Sequence, residues 1–155
     1  MSFGSGGLCS LRENTKIEIE GVSWAAADPE PLKVEPWLRI YSSKDESADA
    51  FISLLGPAWE SSVISQEDTV YDDDIAGYEI TETCEQLEEN KRTQMTDLFF
   101  LVTSGPEGAE VPEAYVDYKA NGRSYRLIID YGMIMCGPAI SEREPEDGSP
   151  GDCQQ

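Results

Sequence analysis

The stretch YDDDIAGYEITETCEQLEEN, residues 71–90, carries eight acidic side chains and no lysine, arginine or histidine. Carboxylates at this density can ligate a hard cation, act as acid and base across a scissile bond, or attract a basic partner. Calcium is the first possibility, because a loop starting at Asp72 has acids at positions 1 and 3 and Gly77 at position 6, as an EF-hand requires. The match then fails. Position 5 is Ala76 and position 12 is Thr83, so the bidentate glutamate is missing, and the segment before it is not helical in pattern. No metal and no cofactor is expected.

Hydrolysis by paired carboxylates, for example Asp73 and Glu82, needs one carboxyl with a raised pKa. An apolar pocket or a close like charge must supply that shift, and no sequence feature signals a pocket. The chain contains no histidine, which removes the usual base for a serine or cysteine nucleophile. Catalytic residues are therefore expected to be absent and the protein not to be an enzyme, a small carboxylate or metal-dependent enzyme being the remaining catalytic alternative.

A charged contact face is the third use. Eleven acids and no base lie between Glu60 and Glu89. The predicted contact residues are Glu67, Asp68, Asp72, Asp73, Asp74, Glu79, Glu82, Glu85 and Glu89. On a helix, Glu82, Glu85 and Glu89 would share one side about 5 to 6 Å apart, a spacing that could follow the phosphate track of nucleic acid. Tyr71 and Tyr78 bracket the DDD run and could stack on arginine. Solvated surface acids that merely complement a helix dipole are the plain alternative. They leave the excess unexplained, because solubility of a small domain needs a net charge of only about 2 to 8 in magnitude.

Over the whole chain, 31 Asp and Glu face 11 Lys and Arg, a formal net charge of -20. Such a field repels nucleic acid and anionic lipid, so neither direct nucleic-acid nor membrane binding is expected. It attracts basic proteins and speeds their association. The sequence thus points to an acidic stand-alone inhibitor that binds a basic nucleic-acid-handling protein or nuclease and blocks its site as a DNA mimic. Phage anti-CRISPR and anti-restriction proteins are of this physical type, though no motif connects the chain to them. An immunity protein neutralising a cationic toxin is the alternative. The first residues, MSFGSGGLCS, lack the charge and apolar run of a secretory signal. Four cysteines without a CxxC pair read as free thiols, and a cytoplasmic location is expected.

These residues must be held by a fold. TKIEIEGVSW alternates as a half-buried strand with a bend or bulge at Gly21, WLRIYS is a second strand, and DLFFLVTS is a strand buried on both faces. AYVDYK and RSYRLIIDYGM flank Asn121-Gly122, the signature of a tight hairpin. SKDESADAFISLLGP and TETCEQLEENKRTQM read as helices, the second with a capping box at Thr83 and Gln86. The expectation is an α+β domain over residues 15–140, a mostly antiparallel sheet of five to six strands with two helices on one face. Residues 1–14 are expected to form a flexible leader and residues 141–155 an acidic disordered tail.

Overall fold

The computed structural model of the chain describes residues 1–25, 27–41, 53–61, 69–88, 94–130 and 132–138. Its regular structure is mostly antiparallel β-sheet. The strands are β1 Ser2–Gly7, β2 Ile17–Trp24, β3 Lys33–Tyr41, β4 Ser53–Leu54, β5 Val70–Asp72, β6 Glu79–Ile80, β7 Met95–Thr103, β8 Ala109–Val111, β9 Ala114–Ala120, β10 Arg123–Ile129 and β11 Met133–Met135. A five-residue helix, α1 Cys84–Glu88, lies between β6 and β7. Five strands form one sheet in the order β4-β1-β7-β3-β5, four form a second in the order β10-β9-β2-β6, and β11 pairs with β8.

The chain is therefore not an α+β fold with two helices packed on a sheet. Of the first expected helix, residues 43–52 lie outside the described residues, and its later part, Ser53 and Leu54, is strand, paired with Phe3 and Ser2. The second helix does start at its capping box. The Thr83 amide donates to Gln86 Oε1 at 2.9 Å, and the Gln86 amide donates to Thr83 Oγ1 at 3.2 Å. Its described part ends at Glu88, the expected last turn with Lys91 and Arg92 lies outside the described residues, and Met95, the final residue of the expected helical segment, opens β7 opposite Tyr41. Helix propensity is a weak force that a sheet partner overrides.

The expected leader is also structured. SFGSGG has no alternation, yet β1 lies between β4 and β7, with Phe3 buried in the core. Main-chain pairing to β7 recruits this segment, since its glycines have no strand propensity of their own. Residues 141–155 lie outside the described residues.

β7 shows why its sequence is a continuous apolar run. Leu98, Phe100 and Val102 enter the main core, which also holds Ile19, Ile80 and Val116 from the second sheet. Phe99 points the other way, into a smaller cluster with Ala58, Trp37 and Tyr71. Trp59 covers this cluster, its ring 4.6 Å from Trp37 and 5.8 Å from Tyr71. Arg39 on β3 and Asp97 on β7 are cross-strand partners in an ion pair from which water is excluded.

In the second sheet, the β2 register shifts between Ile19 and Gly21, a bulge at the expected glycine. Asn121 and Gly122 turn the chain between β9 and β10 with φ of 51° and 79°. Both values belong to the type I′ hairpin that Asn-Gly favours. Every residue of β10 from Arg123 to Ile128 is exposed.

Candidate functional site

The acids predicted as a contact face are divided by the fold. Asp72 ends β5, the edge of the first sheet, and Glu79 begins β6, the edge of the second. Between them Asp73 and Asp74 are exposed, while Ile75 anchors the connection in the core. The Asp74 amide donates to Asp72 Oδ1 at 2.9 Å, a local Asx turn that shapes the crossing. Glu79 pairs with Lys16. Charged side chains on exposed sheet edges also discourage pairing with other chains, so these acids have a structural use.

Of the expected helical row, Glu85 alone lies on the described part of α1. Glu82 precedes α1 and is half-buried, Glu85 is exposed within it, and Glu67, Asp68 and Glu89 lie outside the described residues. Asp72 and Glu79 instead lie on the edge strands of two different sheets, with Asp73 and Asp74 exposed on the connection between them. Tyr71 and Tyr78 are built into the fold, Tyr71 against Trp59 and Tyr78 through a 2.8 Å hydrogen bond between its hydroxyl and Thr96 Oγ1. Among the described residues, no three His, Cys, Asp or Glu come together as a metal site. Asp73 and Glu82, the carboxylates weighed for hydrolysis, line neither of the two concave surfaces described below.

The cysteines are not free thiols. Cys9 and Cys84 form a disulfide that ties the segment after β1 to the start of α1, and Cys136 is also disulfide-bonded. Cys153 lies outside the described residues. Sequence spacing gave no sign of the first bond, because strand pairing brings its two cysteines together from 75 positions apart. Ser10 helps to hold them there: its amide donates to the Glu82 carbonyl and its carbonyl accepts from the Cys84 amide.

This disulfide lines a groove of about 810 Å³ that the sequence did not reveal. The inner face of the second sheet forms one wall through Ile17, Val116, Tyr118, Tyr125 and Leu127. The segment Leu8–Arg12 lies across from it. The rings of Tyr118 and Tyr125 stack at 5.5 Å. Arg12 and Arg123 both line the groove, and among the described residues no aspartate or glutamate does. Volumes of this size with apolar walls and a few polar groups are typical of ligand sites.

The outer face of the same sheet is chemically different. A shallow concavity there is lined by Glu20, Asp117, Ser124 and Arg126. Arg126 makes a bidentate contact with Asp117, at 2.7 and 2.8 Å, and lies 5.1 Å from the Tyr115 ring. The hydrogen bond from Arg126 holds the Asp117 carboxyl below its ordinary range. Hydrogen bonds from Lys119 and then Ser124 do the same for Glu20. These cations are neutralised where they stand.

That contrast extends over the described chain. Lys16, Lys33, Arg39, Lys119 and Arg126 each pair with a carboxylate. Arg12 and Arg123 have no acidic partner among the described residues, and both face the groove. Comparison with protein-family models, curated proteins and solved structures finds no match to this chain. Any functional reading therefore rests on the residues themselves.

Proposed function

We propose that the protein is a non-catalytic binding module that engages a basic partner by charge and blocks its working surface. The observation that carries this reading is the net charge of -20 together with the exposed Asp73 and Asp74 on the crossing between two sheet edges. A field of that sign raises the encounter rate with a cationic surface and loses strength as salt is added. Within this reading, the partner is a nucleic-acid-handling protein or nuclease whose phosphate-binding surface the carboxylates occupy.

The disulfides favour the second form of the same reading, an immunity protein that neutralises a cationic toxin. Disulfides persist in oxidising compartments and are rare in the cytosol. A toxin arriving from outside the cell meets its antagonist in such a compartment, whereas an inhibitor of an intracellular complex works among reduced thiols. Among the described residues no helix is long and apolar enough to cross a membrane. A cytoplasmic setting, which the inhibitor form needs, is a proposal that requires the Cys9–Cys84 bond to survive cytosolic reductants.

The deciding experiment is a pull-down from lysate and from the oxidising compartment of the native host, eluted with a salt gradient and read by mass spectrometry. A basic nucleic-acid-binding protein released by salt supports the inhibitor form, and a cognate toxin supports the immunity form. If no salt-sensitive basic partner appears, the acids are solvating and protecting the sheet edges, and the proposal falls.

A further inference from the structure

Among the described strands β10 is the last of its sheet, and its seven residues, RSYRLII, have a strand neighbour on one side only. The register fixes which backbone groups face outward. In a two-residue hairpin the residues flanking the turn, Ala120 and Arg123, form a hydrogen-bonded pair, and such pairs alternate along an antiparallel ladder. Arg123, Tyr125, Leu127 and Ile129 therefore direct their N–H and C=O groups to β9. Ser124, Arg126 and Ile128 direct theirs to the open edge.

Side chains alternate as well. Arg123, Tyr125 and Leu127 project into the groove, where Tyr125 is 46% and Leu127 45% exposed. Open edges are usually protected by charge or a bulge, by proline, or by covering structure. The opposite edge of this sheet carries Glu79, whereas the β10 edge is flanked by an apolar groove whose two arginines have no acidic partner among the described residues.

We propose that the β10 edge takes up an extended segment of a partner protein as a fifth strand of this sheet, and that the segment is apolar with at least one acidic side chain. Main-chain hydrogen bonds to Ser124, Arg126 and Ile128 supply the pairing. Alternate apolar side chains cover Tyr125 and Leu127 in the groove, and the acid meets Arg123 and Arg12. Strand addition of this kind draws affinity from the backbone and specificity from every second side chain. A second copy of the chain fits less well, because two molecules of charge -20 repel. The site lies across the sheet from the acidic edge and does not depend on the function proposed for it.

The test is selection of a phage-displayed library of random linear dodecapeptides on the full chain, followed by calorimetric titration of an enriched synthetic peptide. Enriched sequences should alternate apolar residues and contain an acid. Their affinity should fall at least tenfold with Arg123→Glu, decline with added salt, and be lost with Ile128→Pro, which removes one outward N–H while leaving the β9 ladder intact. If Ile128→Pro does not fold, the enriched peptide N-methylated at alternate residues provides the same readout on the unaltered protein. Absence of enrichment, or an affinity indifferent to both the N-methyl groups and Arg123→Glu, overturns the proposal. So does stoichiometric binding of dodecanoate that displaces the peptide without needing the edge, which would make the groove a site for small amphipathic anions. A dimer that strengthens with salt in sedimentation and dissolves in Ile128→Pro assigns the edge to a second copy instead.

Discussion

Cys9 and Cys84 are joined across 75 positions of sequence, and their bond lines the same groove as Arg12 and Arg123. The segment that carries Arg12 has no strand pairing of its own beyond the Ser10–Thr83 bridge. The disulfide thus holds one wall of the groove against the rest of the molecule. Chain topology, not local sequence, creates this site.

Removing that bond should cost a large part of the protein's stability. Closing a loop of 75 residues restricts the unfolded chain by roughly 4 kcal/mol in the chain-entropy description. The double variant Cys9→Ser/Cys84→Ser is expected to unfold at clearly lower urea concentration than the parent, followed by tryptophan fluorescence without reductant. A reductant should lower the parent's midpoint further than the variant's. Equal midpoints for parent and variant would show that the bond adds nothing to stability.

The Arg39–Asp97 pair gives a second prediction. Arg39 also packs against Tyr41 and Phe99, its guanidinium carbon 4.2 and 5.3 Å from the ring centroids. Asp97→Ala removes the carboxylate of this buried ion pair and should destabilise the fold by about 3 to 5 kcal/mol. Arg39→Met combined with Asp97→Leu replaces the pair with apolar volume and should recover most of that loss. Denaturant unfolding of both variants decides the matter. A double variant no more stable than Asp97→Ala would mean that packing and the other contacts of Arg39, not the loss of the Asp97 carboxylate, set the cost.

Charge reversal separates function from folding at the acidic edge. Asp72 is best left in place, because it accepts the Asp74 amide in the turn. Asp73→Lys/Asp74→Lys replaces two negative charges with two positive ones, a net change of about four units, at exposed positions. The thermal midpoint should hold or rise at low salt, through relief of self-repulsion, and the gain should fade as salt is added. Affinity for the basic partner should fall in the same variant. Unchanged affinity would remove Asp73 and Asp74 from the contact surface.

How far these features were legible in the sequence depended on whether the deciding interaction was local. The Asn121-Gly122 turn, the bulge at Gly21 and the Thr83–Gln86 capping box each involve residues a few positions apart, and each stands where the pattern placed it. The strand in MTDLFFLVT was legible because burial on both faces leaves a continuous apolar run. β1 was not, since a glycine-rich segment becomes a strand only when β7 offers it a partner. The groove was hidden for a similar reason. Its arginines lie 111 positions apart in sequence, at 12 and 123, and what distinguishes them is that every other described cation found a carboxylate. Counting acids pointed to residues 72–79, but it carries no information about a groove whose described lining holds arginines and no acid.

The Asp117–Arg126 contact makes the last prediction, one of pH. The folded-state pKa of Asp117 is lowered from the ordinary 3.8 by the hydrogen bond from Arg126. The contact therefore favours the folded state fully above 3.8, and its contribution is lost as pH falls through the lower folded value. Global unfolding cannot isolate this effect, because protonating many acids at once also relieves repulsion in a chain of charge -20 and acts in the opposite direction. Carboxyl-detected NMR can. Asp117 should titrate below 3.8 in the parent and move upward in Arg126→Gln, while Glu20, held low chiefly by Lys119, should stay depressed in that variant. An Asp117 that titrates at its ordinary value in the parent would mean that the bidentate contact does not persist in solution.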